Sequence, residues 1–160
     1  HTVMQYLNLN IHETENDIYD LIESLKTKNL LSYKEAESID INKVLNFINS
    51  DLGKRIKNSS YVKRETPFTM LISPEEAFLN VKSDSKILVH GIIDCYFEEN
   101  DKIILVDYKS DNVTKNNINN IVERYKIQLS LYKKALERAE EKEVLESLIY
   151  LFSIDDIIKL

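Results

Sequence analysis

Two aspartates and a lysine have the spacing that most directly suggests chemistry: Asp94, Asp107 and Lys109. They lie in two runs rich in β-branched and aromatic residues, 86–97 and 102–110, which flank a polar turn. This pattern predicts a β-hairpin. Because side chains two residues apart share one face of a strand, we expect Lys109 beside Asp107.

The turn decides which residues face each other across this hairpin. If Asn100 and Asp101 form a two-residue loop, counting back along both strands places Asp94 directly opposite Asp107. Directly opposed Cβ atoms are about 4.5–5.5 Å apart, and like charges there destabilise a sheet. In an ordinary arrangement, one aspartate pairs with Lys109 and the other points to water. In a catalytic arrangement, the carboxylates bind a divalent metal such as Mg²⁺ and the lysine assists cleavage of a phosphodiester.

The composition is that of a globular domain with a sizeable core. The chain has 160 residues, of which 43% are hydrophobic and 30% charged, and it has only two glycines and two prolines. No apolar run is long enough to cross a membrane. The single cysteine, Cys95, excludes a disulfide within the chain and a metal cluster built from several thiolates. Its strand parity turns it away from the carboxylates, and we expect it in the core.

The net charge of −6 is unusual for a protein that binds nucleic acid by itself. Proteins that bind the phosphate backbone are usually basic. If this domain acts on DNA, we expect an attached motor or a partner protein to supply most of the affinity.

The hydrophobic pattern predicts helices first and strands later. We expect one domain, 1–160, with a helical segment over 1–60 and an αβ core over 61–160. The absence of Met at the start of a helical pattern predicts that the domain belongs to a longer protein. The expected elements are helices over residues 1–9, 14–28 (capped by Thr14 or Asn16), a short helix after Ser32, and 42–52 (ending near Gly53); strands over 61–72, 86–97 and 102–110; a loop over 111–120; a helix over 121–142; and a closing strand over 144–152.

Gln128 and Tyr132 are the polar residues of interest on the predicted long helix. They lie one turn apart on the same side, so their polar ends could point toward the end of the hairpin. Alternatively, Tyr132 packs against the sheet and Gln128 is solvated.

Three motifs in order resemble a known family: Gly91-Ile-Ile-Asp94, Asp107-Tyr-Lys109-Ser-Asp111 and Gln128-x-x-x-Tyr132. The combination resembles the RecB-like branch of the PD-(D/E)XK nucleases. Within that branch, His1-Thr-Val-Met-Gln, Arg64-Glu-Thr-Pro-Phe and the residues after Gln128 resemble the nuclease domains of AddA-type helicase–nucleases.

The resemblance implies an α/β fold with a restriction-endonuclease-like core, in which a mixed central sheet is flanked by helices. It implies a DNA nuclease that uses Mg²⁺, with Mn²⁺ able to substitute, and that carries no iron–sulfur cluster. It further implies that Asp94, Asp107 and Lys109 are catalytic. The implied metal ligands are His1, Asp94, Asp107 and the backbone carbonyl of Tyr108, and the implied supporting or DNA-contacting residues are Gln128, Tyr132 and Glu65.

The partners implied by the resemblance are DNA, upstream helicase motor domains and an AddB-type partner, in the bacterial cytoplasm and without a membrane. This stretch should have no ATPase activity, because it has no Gly-x-x-x-x-Gly-Lys-Ser/Thr motif. Two alternatives remain open: a non-catalytic module that docks or guides DNA, and a metal-dependent nuclease that acts on RNA. His90 could border the site, since it shares the strand parity of Asp94 and would lie opposite Asp111.

Overall fold

The computed structural model describes residues 1–77, 80 and 82–160. The chain divides into two compact units, His1–Ser60 and Tyr61–Leu160. The N-terminal unit is helical, and the C-terminal unit contains the strands and the long helix.

The N-terminal unit consists of five helices: α1 (Thr2–Tyr6), α2 (Glu15–Thr27), α3 (Tyr33–Glu37), α4 (Ile41–Asn49) and α5 (Asp51–Asn58). Thr14 and Ser32 begin α2 and α3 with complete capping boxes, which satisfy backbone N–H groups of the first turn. The predicted starts of these two helices are confirmed.

The expected single helix over residues 42–52 was wrong. The chain breaks at Ser50, which has a ψ of 161° and whose hydroxyl accepts a hydrogen bond from the Gly53 N–H, so it caps α5. Gly53 lies inside α5 and does not end a helix. A Cβ at this position would lie 2.3 Å from the carbonyl oxygen of Phe47, so glycine is needed here for close approach of backbone to backbone.

The C-terminal unit is a five-stranded mixed sheet crossed by one long helix. Its elements are β1 (Val62–Ile72), β2 (Ile87–Glu99), β3 (Lys102–Lys109), α6 (Ile118–Glu140), β4 (Val144–Leu151) and β5 (Asp156–Lys159), and the strands lie in sequence order. All neighbours are antiparallel except β3 and β4. Parallel neighbours need a long crossover, and α6 provides it. The predicted α/β fold with a mixed sheet is confirmed.

The hairpin forms in the predicted register. Glu99 pairs with Lys102, and the ladder continues to Cys95 opposite Val106. Asn100 and Asp101 both have positive φ, at 51° and 61°, as a type I′ turn requires. The expectation that the chain closes with a single strand was wrong, because the four-residue β5 follows β4 and pairs with it.

The core of this unit lies between α6 and one face of the sheet. Leu129 and Leu136 of α6 pack in one cluster with Ile103, Leu105 and Ile149 of the strands, all at most 2% exposed. Burial of such side chains contributes about 1.5–3 kcal/mol each. At the C-terminal end of α6, the Tyr96 hydroxyl donates a 2.5 Å hydrogen bond to Glu140. The helix is therefore held against the sheet at a defined position.

No helix within the described ranges combines the length and the apolar character that a membrane crossing requires.

Candidate active site

The site begins where β2 and β3 cease to pair. Their ladder ends at Cys95 and Val106; in the part of the chain that the structure describes, β2 continues alongside β1 alone and β3 alongside β4 alone. Asp94 and Asp107 are the next residues on the two strands. Two carboxylates are thus placed at a fork in the sheet.

Asp94 spans this fork through a hydrogen bond to the backbone of β3. Its Oδ2 accepts the N–H of Tyr108 at 2.8 Å. The carboxylate therefore takes the place of a ladder hydrogen bond and is fixed in orientation, and the charged acceptor makes this bond stronger than a neutral one.

Glu65 approaches Asp94 from the opposite side, on β1. In the register of β1 and β2, Arg64 pairs with Cys95 and Thr66 with Ile93, so Glu65 stands opposite Asp94. A carboxylate oxygen of Glu65 lies within 4.8 Å of one of Asp94. Glu65 has a φ of 46°, a left-handed conformation that costs about 1–2 kcal/mol for a residue with a Cβ. Strained backbone of this kind is concentrated at functional sites.

The alternation of side chains along β2 shifts by one residue at this point. Ile93 and Tyr96 are three residues apart, yet both pack in the cluster under α6. In a regular strand, residues separated by an odd number point to opposite faces. The shift falls at Asp94, opposite the strained Glu65.

The expected place of His90 was wrong for the same reason. His90 pairs with Thr69 on β1 and is exposed, while β3 ends at Lys109 and does not extend to Asp111. Equal parity also no longer assigns His90 to the face of Asp94, because the alternation shifts between them.

Asp107 and Lys109 form a buried ion pair. The Lys109 Nζ lies 2.8 Å from Asp107 Oδ2, and the two side chains are 14% and 2% exposed. Burial acts to lower the pKa of Lys109, but the hydrogen bond from Lys109 to Asp107 and the charges of Asp107 and Asp94 outweigh it and raise that pKa. The lysine is therefore an ammonium at neutral pH and offsets the repulsion of the carboxylates.

Tyr125, on the first half of α6, provides a second contact to the lysine. The Lys109 Nζ lies 4.2 Å from the centre of the Tyr125 ring. The Tyr125 hydroxyl donates to Asp111 Oδ2 at 3.0 Å. The sequence analysis placed Tyr125 only in the helical pattern; its spacing of three residues before Gln128 was the signal for a shared face.

Gln128 and Tyr132 interact with each other on α6. The Gln128 Nε2 donates to the Tyr132 hydroxyl at 2.6 Å. The Tyr132 ring packs edge to face on Phe68, with centroids 5.3 Å apart. Burial raises the pKa of Tyr132, and the charges of Asp107 and Asp94 add to the increase. This electrostatic coupling indicates that the tyrosine faces the carboxylates.

Gly91 makes room for this aromatic pair. A Cβ on Gly91 would lie 2.9 Å from Phe68 Cε1 and 3.3 Å from Tyr132 Cε1. The glycine of the Gly91-Ile-Ile-Asp94 motif is thus explained by packing.

An open groove of about 500 Å³ lies beside Gln128 and Tyr132, between α6 and the β1–β2 pair. Its lining combines apolar side chains with a few polar ones: Phe68, Val89, His90, Arg124, Ile127, Gln128, Leu131 and Tyr132.

The oxygen atoms assembled within this unit suit a hard cation. Glu65, Asp94 and Asp107 offer carboxylates, which are the ligands that Mg²⁺ and Mn²⁺ prefer. The side chain of Tyr108 is buried, so only its backbone is available for such a role. His1 precedes α1 in the N-terminal unit and is exposed. The metal-binding, catalytic and DNA-contacting roles assigned from the sequence remain predictions.

Comparison with known proteins agrees with this geometry. Residues 1–158 match the family model of the PD-(D/E)XK nuclease superfamily. The whole chain is 43% identical to a region of an ATP-dependent helicase/nuclease protein of the AddA type from Alkaliphilus oremlandii and 41% identical to its counterpart in Bacillus cereus. It is 40% identical to the counterpart in Clostridium botulinum strain 657. The chain spans 14%, 14% and 13% of the length of these three relatives. On the match over residues 1–158, the chain belongs to the PD-(D/E)XK nuclease superfamily.

Proposed function

We propose that this chain is the nuclease domain of an AddA-type helicase–nuclease and cuts DNA with Mg²⁺, for which Mn²⁺ can substitute. The reaction is hydrolysis of a phosphodiester during the processing of double-strand break ends for recombinational repair in the bacterial cytoplasm. The observation that carries this proposal is the fork in the sheet, where Asp94, Asp107 and Lys109 converge.

The proposal treats residues 1–160 as one nuclease domain of a longer chain, with 1–60 as a helical segment and 61–160 as the catalytic core. Helicase motors of the same chain and an AddB-type partner would bring DNA to it. The net charge of −6 supports this division, because a domain with an acidic surface gains little affinity from the phosphate backbone.

The proposed metal ligands are the carboxylates of Asp94 and Asp107, the imidazole of His1 and the carbonyl of Tyr108, with Glu65 in support. A bound divalent cation supplies Lewis acidity toward the phosphate and lowers the pKa of a water molecule. Asp94 is suited to the role because its hydrogen bond to the Tyr108 N–H fixes its free oxygen.

Lys109 supplies the positive charge that the reaction needs in addition. Its ammonium is largely withdrawn from solvent, where electrostatic stabilisation of a developing negative charge is strongest. Gln128 and Tyr132 face the groove and would hold a phosphate of the strand that lies in it.

The test is cleavage of end-labelled single-stranded DNA, duplex DNA and RNA by the purified chain with Mg²⁺, with Mn²⁺ and with EDTA. The proposal expects DNA to be cut only in the presence of either metal. Cleavage that continues in EDTA, or that is confined to RNA, would overturn it.

A matched pair of variants assigns the activity to the fork. Asp94→Asn keeps an oxygen that can accept the Tyr108 N–H but removes the charge, so it should fold normally and lose at least about 100-fold in rate. Asp20→Asn makes the same change on the exposed surface of α2 and should leave the rate unchanged.

A further inference from the structure

Lys109 is held by two groups of different kind. Its Nζ forms the 2.8 Å ion pair with Asp107 and also lies 4.2 Å from the centroid of Tyr125. An ammonium within about 6 Å of an aromatic centroid is attracted by the negative face of the ring. The attraction is stronger when both groups are partly desolvated, as they are here.

Tyr125 is itself fixed in place by contacts at both ends. Its hydroxyl donates to Asp111 at 3.0 Å to Oδ2 and 3.3 Å to Oδ1, and Arg124 Nη1 lies 3.2 Å from Asp111 Oδ1. Its ring packs against the core cluster under α6. Asp111 follows Lys109 by two residues, so the hydrogen bond ties the segment after β3 to the helix.

These two contacts differ in what happens to them when the site is used. A carboxylate that binds a cation has less negative charge available for Lys109, which weakens the ion pair. A lysine released in this way regains rotamer freedom worth about 2 kcal/mol. The neutral ring of Tyr125 is not consumed by a cation and can keep the ammonium in place.

We propose that Tyr125, supported by Asp111, is a positioning residue that holds the Lys109 ammonium for the nuclease reaction. This inference rests on the proposed function. Tyr125 acts through Lys109, so its removal should lower kcat and leave KM nearly unchanged.

A nuclear magnetic resonance measurement tests the placement without any reaction. Protons on Lys109 Cε lie close to the Tyr125 ring and should be shifted upfield by its ring current, and they are assigned by the loss of the signal in Lys109→Met. The shift should vanish in Tyr125→Leu and persist in Tyr125→Phe. Tyr33→Leu is the matched control, because Lys26 Nζ lies 4.9 Å from the Tyr33 ring in the N-terminal unit; it should leave the Lys109 signal unchanged.

The kinetic measurement uses the same variants with Mg²⁺ and single-stranded DNA. Tyr125→Leu should lower kcat about tenfold or more with KM within about twofold, as expected for loss of a cation–π contact and of orientation. Tyr125→Phe keeps the ring and should retain most of the rate. Asp111→Ala removes the support of the ring without removing the ring and should fall between the two.

Two results would overturn the inference. One is a Lys109 signal without an upfield shift in the unmodified chain, and the other is a Tyr125→Leu variant that keeps its melting temperature and its kcat. If the unmodified chain does not cut DNA at all, the proposed function fails, while the chemical shift of Lys109 still decides whether Tyr125 holds it. If Tyr125→Leu does not fold, Asp111→Ala and Tyr125→Phe decide the kinetic question.

Discussion

Glu65 and Asp94 stand opposite each other across β1 and β2, with carboxylate oxygens within 4.8 Å, and Glu65 has a left-handed φ of 46°. Two like charges and an unfavourable backbone conformation thus coincide at one cross-strand position. Both features cost stability in the folded chain, and they lie beside the fork where the candidate catalytic groups meet. The coincidence suggests that stability is given up here for function.

The strain at Glu65 predicts a reversal of the usual order of glycine and alanine. In an ordinary strand, glycine is less stable than alanine by about 0.5–1 kcal/mol. At Glu65, we expect Glu65→Gly to be more stable than Glu65→Ala by about 1 kcal/mol, because only glycine adopts positive φ without a steric cost. Urea unfolding measures the difference, since both variants lack the carboxylate.

The matched control for this reversal is Lys63, an exposed β1 residue without a positive φ. Lys63→Ala should be more stable than Lys63→Gly, in the normal order. If alanine is also the more stable residue at position 65, the strain at Glu65 is absent in solution.

The packing of Gly91 predicts a destabilising substitution with a specific rescue. Gly91→Ala should lower the free energy of unfolding by about 1–2 kcal/mol, because its Cβ would press on the Phe68 ring. Phe68→Leu removes the nearest atoms, so the double variant should be more stable than the sum of the two single changes predicts. A double-mutant cycle by urea unfolding measures this coupling, and additive effects would contradict the contact.

The burial of Cys95 predicts an unreactive thiol. Cys95 has no exposed surface, and burial raises its pKa to about 11. At pH 8 only about one thiol in a thousand is then the reactive thiolate. Iodoacetamide should leave the native chain unmodified over hours and label it fully in urea, as read by mass spectrometry. Labelling of the native chain within minutes would show that this strand opens readily.

The ion pair between Lys109 and Asp107 predicts opposite effects on metal affinity and on catalysis. The ammonium repels a divalent cation that approaches the same carboxylate. Lys109→Met should therefore bind Mn²⁺ at least about threefold more tightly by calorimetry, while its cleavage rate falls. Lys34→Met, on the exposed surface of α3, should change neither. Weaker Mn²⁺ binding by Lys109→Met would place the metal away from Asp107.

The hairpin could be predicted because local chemistry determines it. Asn100 and Asp101 tolerate positive φ, and the strands on either side have strong β propensity, so the turn fixed the register and hence the fork. The long helix and the caps of α2 and α3 have equally local signals. These elements followed from residues that are close together in the sequence.

Other features depend on contacts that the sequence does not display. The shift of alternation at Asp94 follows from the left-handed conformation of Glu65 on another strand, and glutamate gives no sign of it. The four-residue β5 is stabilised by pairing with β4, which overrides its short length. Gly53 was interpreted as the end of a helix, although close approach to Phe47 explains it. Tyr125 had a packing signal only, and its contact with Lys109 appears once α6 lies on the sheet.

The most direct test of the account is the rate at which Asp107→Asn cuts labelled single-stranded DNA in Mg²⁺, compared with the unmodified chain and with Asp20→Asn. Asparagine keeps the shape of a side chain that is only 2% exposed and removes the charge at the fork. The account predicts a loss of at least about 1,000-fold for Asp107→Asn, with the secondary structure seen by circular dichroism retained and Asp20→Asn fully active. A folded Asp107→Asn variant that cuts DNA at the unmodified rate would contradict the assignment of the nuclease site to this fork.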